Sequence, residues 1–244
     1  MARVDGSVNI ETSKALQDLF YEYTHLPIGR KKIVCPYWIN KTKLRIFGPY
    51  GGKGTPEQIV LATEAEAKKE GLDLDKMTKR EILNFMRERR IGVDCSGFVF
   101  WMLNAFDLEK GGNGIADDIP ESEGRFLEAR ASVKMLTNEK VSFPIERVSD
   151  IRVGDMIRLK RGKHVAIVLS LEKDALGNLK RVVYTHSSDL TEVSGVHSDV
   201  IEIIKKGKEL KEQRWLERTK EGDYYNKFNF PDKNDGGRRL KIWG

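Results

Sequence analysis

The sequence predicts an α+β fold, with helices from the first part of the chain packed on an antiparallel sheet from the second part. Up to about residue 106, apolar residues recur at helical spacing between capping residues and glycines. Beyond residue 150, they form short runs rich in valine and isoleucine that are separated by turn residues. Helices followed by strands are typical of α+β proteins, whereas a parallel α/β fold alternates the two.

Four helices are predicted in the first part. Two of them begin with a capping box, in which a threonine hydroxyl and a glutamine or glutamate three residues later satisfy free backbone amides. Another, which follows Asp94, is apolar on nearly all sides, so we expect it to be buried at the centre of the domain. The predicted helices cover residues 14–23, 56–70, 79–90 and 95–106.

The strands of the second part are predicted to form a meander. A turn at Arg161-Gly162 joins the first two strands, and a turn at residues 176–178 leads into the third. The predicted strands cover residues 156–159, 164–169, 181–186 and 200–204.

Composition limits the classes of protein to consider. The 244 residues include ten phenylalanines, seven tyrosines and four tryptophans, which a disordered chain lacks. The apolar runs are too short to span a bilayer, so no membrane span is expected. The two cysteines and four histidines lack the spacing of zinc motifs, so we predict no metal and no cofactor. The net charge is +6, but no aromatic-rich basic motif accompanies it, so no nucleic acid partner is expected.

Cys95 is the most informative residue of the sequence. Asp94 is suited to cap the buried helix, which places Cys95 in the first turn. There the free amides and the helix dipole favour thiolate over thiol, and the amides can also bind an oxyanion. Gly97 would let a substrate backbone or a neighbouring strand come close. We therefore predict a nucleophile with a lowered pKa; the alternative is a small buried apolar residue, as we predict for Cys35.

Two histidines on predicted strands can complete a catalytic set. His164 begins one strand and His186 lies on the next, and adjacent antiparallel strands can bring such positions into contact. In thiol catalysis an imidazole keeps the sulfur ionised and protonates the leaving amine, while a second polar group holds that imidazole in the useful tautomer. Cys95, His164 and His186 thus offer all three roles. His197 is the alternative third residue, although its surroundings predict a loop.

Three short elements occur in a characteristic order: DCSG at 94–97, VGD at 153–155 and HVAI at 164–167. Together they resemble the NlpC-type family of papain-like cysteine peptidases, over about residues 92–204. The resemblance implies a papain-like fold in which Cys95 is the nucleophile, His164 the general base and His186 the orienting residue. It also implies hydrolysis of amide bonds, which in many family members belong to peptidoglycan stem peptides.

The chain departs from the family pattern around this set. Residues 53–91 and 107–140 are predicted insertions that restrict the cleft, with the helix over 79–90 close to Cys95. Family members carry a tyrosine shortly before the cysteine, and the nearest candidate here is Tyr50. We therefore predict Tyr50, at the rim, and Ser96 as substrate-binding residues. The tail arginines Arg238 and Arg239 are expected to meet acidic groups of the substrate.

The leading hypothesis is a cysteine-dependent peptidase or amidase acting on peptidoglycan or a related peptide. It divides the chain into a helical N-terminal extension, residues 1–91, and a papain-like catalytic domain, residues 92–244, which together form one compact unit. The start of the sequence has no apolar leader, so a cytoplasmic location is expected and a wall substrate needs another route of delivery. The alternatives are an intracellular deamidase, isopeptidase or acyltransferase of the same fold, and a catalytically silent binding module.

Overall fold

The computed structural model describes residues 8–119 and 130–244, and within them the fold is α+β as predicted. The helices are α1 (Lys14–Thr24), α2 (Pro56–Lys69), α3 (Lys79–Glu88), α4 (Cys95–Glu109) and α5 (Val133–Leu136). The strands are β1 (Asn9–Thr12), β2 (Leu26–Ile28), β3 (Lys31–Ile33), β4 (Ser142–Ile145), β5 (Met156–Leu159), β6 (His164–Lys173), β7 (Leu179–Ser188), β8 (Gly195–Glu202), β9 (Arg214–Trp215) and β10 (Gly236–Leu240).

The helices begin where local capping chemistry predicts. Thr55 and Thr78 each accept the backbone amide three residues on, and both predicted capping boxes are complete. Helix α4 is longer than predicted and buried along most of its length, as its apolar sequence requires. Of the predicted insertion over 107–140, residues 120–129 lie outside the described residues.

The main sheet is built around the long strand β6. Its strands follow the order β4-β10-β5-β6-β7-β8-β9, and each pair of neighbours is antiparallel. The first half of β6 pairs with β5, and its second half pairs with β1 from the N-terminal segment. Strand β10 lies between β4 and β5 although it is distant from both in sequence, a placement that no local pattern predicts.

Separate apolar clusters cover the two faces of the sheet. Helix α4 packs on the face that carries Val165 and Ile167. The opposite face carries Ala166 and Val168, together with aromatic side chains from later segments. Because side chains alternate along a strand, His164 shares a side with Ala166 and Val168, opposite to the face on which α4 packs.

The N-terminal segment shares its core with the rest of the chain. Leu16 of α1, Ile59 of α2 and Ile82 of α3 belong to the same buried cluster as Phe98 of α4. Helix α1 packs directly on α4, while α2 and α3 pack on the hairpin formed by β2 and β3. Residues 8–91 therefore add layers to one core and do not form a core of their own.

The prediction that Arg239 meets acidic groups of a substrate is wrong, because this residue of β10 binds a carboxylate within the protein. Its guanidinium donates two hydrogen bonds of 2.8 Å to the carboxylate of Asp155, and both side chains are buried. Arg239 also donates to the carbonyl of Asp150. A guanidinium that already holds a buried carboxylate is not free for a substrate, so Arg239 fastens β10 to the turn before β5. Arg238 is buried as well.

Among residues 8–119 and 130–244, no helix has the length and apolar character needed to cross a membrane.

Candidate active site

The start of α4 is held by a buried ion pair. Asp94 caps the helix by accepting the amide of Gly97 at 2.8 Å. The ammonium of Lys53 lies 2.7 Å from both carboxylate oxygens of Asp94 and donates to the hydroxyl of Ser96 at 2.6 Å. Lys53 belongs to the predicted insertion over 53–91. This segment therefore supplies the counter-charge that allows Asp94 to be buried.

The Lys53→Met variant is expected to lose about 3 kcal/mol of unfolding free energy, because it leaves the buried carboxylate of Asp94 without its cation. Urea denaturation followed by circular dichroism measures this loss. The matched control is Lys69→Met, which removes an ion pair with Glu66 on the protein surface and should change the free energy by less than about 0.5 kcal/mol. Equal effects of the two substitutions would contradict a structural role for the Lys53–Asp94 pair.

The glycine of the DCSG element is required by close backbone packing. A Cβ on Gly97 would lie 2.5 Å from the carbonyl oxygen of Gly52. That carbonyl accepts the amide of Asp94 at 2.8 Å. The prediction that Gly97 lets another backbone approach therefore holds, and the approaching backbone is the chain's own segment at Gly52–Lys53. This segment contacts the start of α4, whereas α3 packs on β3.

The thiol of Cys95 is buried in the resting structure, with 4% of the residue exposed. Burial, followed by the nearby carboxylate of Asp94, raises the pKa of Cys95 to about 12, against the lowering effect of the amides of Val165 and Ser96. The prediction of a lowered pKa is thus wrong for the resting state. Desolvation of the thiolate outweighs the stabilisation that the helix start provides. Cys95 rests as a thiol.

Alkylation kinetics can test this protonation state. The rate of Cys95 labelling by iodoacetamide is expected to rise about tenfold per pH unit from about pH 7 to about pH 10, because only the thiolate reacts. Peptide mapping by mass spectrometry separates Cys95 from Cys35, which is fully buried and whose pKa burial also raises; Cys35 should label more slowly. A rate that is already at its plateau near neutral pH would show that Cys95 rests as a thiolate instead.

The structure brings His164 and His186 into direct contact. Nε2 of His164 lies 2.7 Å from Nδ1 of His186, and both rings are buried. The contact crosses from β6 to the neighbouring strand β7, because both positions lie on the same side of the sheet. Burial, with His186 and Lys160 nearby, lowers the pKa of His164 well below its ordinary value. His164 is therefore neutral at pH 7 and has one nitrogen available to accept a proton.

Glu217 is the site residue that sequence reasoning missed. Its Oε1 lies 2.9 Å from Nε2 of His186 and 2.9 Å from Nε2 of His197, and its other oxygen accepts the hydroxyl of Tyr184. Although burial acts to raise it, the nearby His186 and hydrogen bonds from His186, His197 and Tyr184 hold the pKa of Glu217 well below its usual range. Glu217 follows β9 in a segment without a regular pattern, so no sequence signal marks it.

The prediction of a loop around His197 is wrong. His197 lies in β8 and pairs directly with His186, with the two Nε2 atoms 3.1 Å apart. Nδ1 of His197 lies 2.9 Å from the carbonyl oxygen of Gly195. The ring of His197 therefore contacts His186 and Glu217, while the contact with His164 is made by His186.

The thiol of Cys95 reaches the backbone at the start of β6, next to His164. The backbone N–H of Val165, next to His164, lies within hydrogen-bonding reach of Sγ of Cys95. Among the described residues, none of the hydrogen bonds joins this sulfur to the ring of His164. The reason lies in the sheet, since α4 packs on the face of Val165 whereas His164 belongs to the other side.

The two predicted substrate-binding residues differ in exposure. Ser96 is buried, and its hydroxyl contacts Asp94 at 3.0 Å and the carbonyl of Ala131 at 3.1 Å in addition to Lys53, so it serves contacts within the protein. Tyr50 is 46% exposed in a short turn, and its position at a cleft rim stays a prediction.

Another tyrosine, Tyr37, lies near Cys95. Its backbone forms a bridge with Val93, two residues before Cys95. Burial raises the pKa of Tyr37, and so does the negative charge that Cys95 acquires as a thiolate. Tyr37 is thus a second tyrosine, besides Tyr50, to consider beside Cys95.

Comparison of the chain with protein-family models, with curated proteins and with solved structures finds no match.

Proposed function

We propose that the protein is a cysteine-dependent amide hydrolase of the papain-like type, with Cys95 as nucleophile, His164 as general base and His186 as the residue that orients His164. The observation that carries the proposal is a line of buried polar contacts that begins at His164, next to Val165, whose backbone N–H is within hydrogen-bonding reach of Cys95. It runs from His164 through His186 to Glu217, with atom-to-atom distances of 2.7 and 2.9 Å. The order of DCSG and HVAI in the sequence supports the same assignment.

The hydrogen-bond contacts favour one nitrogen of His164 as the proposed base. The carboxylate of Glu217 accepts a hydrogen bond, so Nε2 of His186 carries the proton in this line. Nδ1 of a neutral His186 then accepts from Nε2 of His164. The lone pair of His164 is left on Nδ1. Glu217 and His186 together hold His164 in a single tautomer, which is the role of the third member of a catalytic triad.

The first turn of α4 also offers an oxyanion donor. The amide of Gly97 is used by Asp94, and the amide of Phe98 bonds to the carbonyl of Asp94. The amide of Cys95, as far as the described residues extend, donates no hydrogen bond to the protein. A free N–H at the nucleophile, at the positive end of a helix, is suited to stabilise a tetrahedral oxyanion.

The proposed reaction passes through an acyl-enzyme. Nδ1 of His164 takes the thiol proton of Cys95 while the sulfur forms a bond to the substrate carbonyl carbon. The tetrahedral adduct collapses, the carbon–nitrogen bond breaks, and the imidazolium gives its proton to the leaving amine. Water then attacks the thioester with His164 again as base, which releases the acid and restores the thiol. Because no hydrogen bond joins Sγ to His164 at rest, the first step needs a rotation of the Cys95 side chain or a shift of the ring.

The substrate class rests on the resemblance and on charge. The proposed substrates are peptidoglycan stem peptides or related peptides, as in many proteins of the NlpC-type family. The net charge of +6 favours approach to an anionic polymer, since opposite charges raise the encounter rate. Tyr37 and Tyr50 are the candidates for contacts with the substrate.

Trapping of the acyl-enzyme tests the proposal. The purified chain is incubated with muropeptides and, separately, with a peptide library, quenched with acid and mapped by mass spectrometry. We expect an acyl adduct on the peptide that contains Cys95, together with new amine termini in the substrate. An adduct on Cys35, or cleavage without any adduct in a rapid-quench series, would contradict the proposed nucleophile.

The same experiment separates the alternative functions. Release of ammonia without a new peptide amine would identify a deamidase. Transfer of the acyl group to an added amine would identify an acyltransferase. Cleavage only at side-chain amide links would identify an isopeptidase. Binding to peptidoglycan sacculi with no adduct and no cleavage would identify a binding module and overturn the proposed hydrolase.

A further inference from the structure

We propose that His186, His197 and Glu217 form a binding site for a divalent transition-metal ion such as Zn²⁺, and that the bound ion inhibits the hydrolase proposed above. The inhibition rests on the proposed function, whereas the binding site rests on geometry alone.

The three side chains place their ligand atoms around one point. Nε2 of His186, Nε2 of His197 and Oε1 of Glu217 form a triangle with sides of 2.9, 2.9 and 3.1 Å. Two ligands about 2.1 Å from one ion are about 3.0 Å apart at a right angle and about 3.4 Å apart at the tetrahedral angle usual for Zn²⁺. Two imidazoles and a carboxylate are also ligand types that divalent transition metals prefer. The triangle therefore matches a right-angled face of a coordination sphere, and tetrahedral zinc would require its atoms to separate by up to about half an ångström.

Acceptor groups surround the triangle. Nδ1 of His197 lies 2.9 Å from the carbonyl oxygen of Gly195, which can only accept a hydrogen bond. Nε2 of His197 lies 2.9 Å from the carboxylate of Glu217 and 3.3 Å from the oxygen of Thr191, whose hydrogen is donated to the carbonyl of Val193. An ion bound at the triangle would therefore be surrounded by imidazole nitrogens and oxygen acceptors, which are ligand types that divalent transition metals prefer.

The surroundings are those of metal ligands in proteins. Metal-binding histidines donate their other ring N–H to a carbonyl or a similar group, and metal-binding carboxylates are themselves hydrogen-bonded. Nδ1 of His197 contacts the carbonyl of Gly195, and the carboxylate of Glu217 accepts a hydrogen bond from the hydroxyl of Tyr184. All three ligand side chains are at least nine-tenths buried, which fixes their positions before an ion arrives.

A bound ion would be incompatible with the catalytic tautomer of His164. The ion can bind Nε2 of His186 only when that nitrogen has given up its proton, so the proton of the ring must lie on Nδ1 instead. Nδ1 then donates to Nε2 of His164, and the proton of His164 moves to Nδ1. Each ring keeps one proton and no net proton is released. His164 then has no lone pair on the nitrogen that serves as the base, so the metal-bound chain cannot deprotonate Cys95 in this way.

Metal binding is measured first in the Cys95→Ser variant, which removes a competing thiol ligand. Titration calorimetry with ZnCl₂ in a non-chelating buffer should give one ion per chain. His197→Gln and Glu217→Gln, each added to Cys95→Ser, should weaken binding at least about tenfold. The matched control is His25→Gln, which removes a histidine that stacks on Tyr21 away from the cluster and should leave affinity unchanged. No binding to Cys95→Ser, or equal binding by all variants, would overturn the metal site.

A spectroscopic measurement guards against variants that fail to fold. X-ray absorption at the zinc edge of zinc-loaded Cys95→Ser should show two imidazoles and oxygen ligands. A first shell with sulfur, or without imidazole, would overturn the assignment of ligands.

The inhibition is measured as the ratio of the cleavage rate with zinc to the rate with a chelator, each variant being compared with itself. At a zinc concentration about ten times the wild-type Kd, this ratio should fall to about one tenth in the wild type and stay at about one half or above in His197→Gln, whose affinity is at least about tenfold weaker. An equal fall in both proteins would assign the inhibition to zinc on the thiol and overturn the proposed switch. Zinc binding by Cys95→Ser together with an inactive wild type would instead refute the proposed hydrolase while retaining the metal site.

Discussion

The Cys95→Ala variant is expected to lose amide-bond cleavage entirely, at least about a thousandfold relative to the wild type, because the reaction proposed here forms a bond to its sulfur. The fold should persist, since one small buried side chain replaces another and the expected cost is about 1 kcal/mol. The rate of amine release from muropeptides or a peptide library measures the loss, and a thermal melt checks the fold.

The matched control is Cys35→Ala. Cys35 is also buried in the core and also unpaired, but its carbonyl, not its thiol, contacts β8. This variant should cleave at a rate within about twofold of the wild type, because it leaves the catalytic groups in place. Activity that survives in Cys95→Ala and disappears in Cys35→Ala would refute the assignment of the nucleophile.

Replacement of the two histidines should give losses of different size. His164→Ala is expected to lower the cleavage rate by roughly a thousandfold or more, since it removes the base. His186→Ala should lower it less, about tenfold to a hundredfold, because water can partly replace an orienting group. The His186→Asn variant, which keeps a polar side chain beside Glu217, separates a loss of orientation from a loss of folding. Initial rates at saturating substrate measure each effect.

The same kind of substitution tests whether His186 or His197 is the residue that orients His164. His197 contacts Glu217 and His186 but makes no hydrogen bond to His164, as far as the described residues show. If His186→Ala were silent and His197→Ala were strongly impaired, the proposed line from His164 to Glu217 would be wrong. Measurements in the presence of a chelator keep this comparison independent of any bound metal.

Elements whose structure depends on residues close in sequence could be predicted. Each of the capping boxes at Thr55 and Thr78 spans only four residues and marks where a helix begins, and the structure contains both. The hairpin of β5 and β6 was likewise predictable, because its turn and its apolar runs are contiguous. The contact of His164 with His186 could also be anticipated, since two strands joined by a short turn lie next to each other.

The error at His197 has a local physical cause. Ser194-Gly195 is typical of a turn, but Gly195 serves another purpose. It has φ of +103°, and a Cβ there would lie 2.4 Å from the carbonyl oxygen of Cys35. A glycine inside a strand can mark such a close approach of two backbones, and one sequence does not distinguish this from a turn.

Glu217 and the metal-ligand triangle could not be predicted for a different reason. Zinc motifs in sequences are recognised by ligands a few residues apart, as on one helix or one turn. Here the three ligands come from β7, β8 and the segment after β9, and only strand pairing brings them together. The pKa of Cys95 also depends on packing, because the burial that raises it arises from segments distant in sequence.

The position of β10 has a consequence for biosynthesis. Strands β4 and β5 are close in sequence but do not pair with each other, because residues 236–240 lie between them. On the ribosome, this part of the sheet cannot be completed until residue 240 has left the exit tunnel, although Cys95 and His164 have emerged much earlier. Chains begin to fold during synthesis from the N-terminus, so nascent molecules with an incomplete sheet expose unpaired strand edges. We expect these molecules to depend on chaperones until residues 236–240 have emerged and completed this part of the sheet.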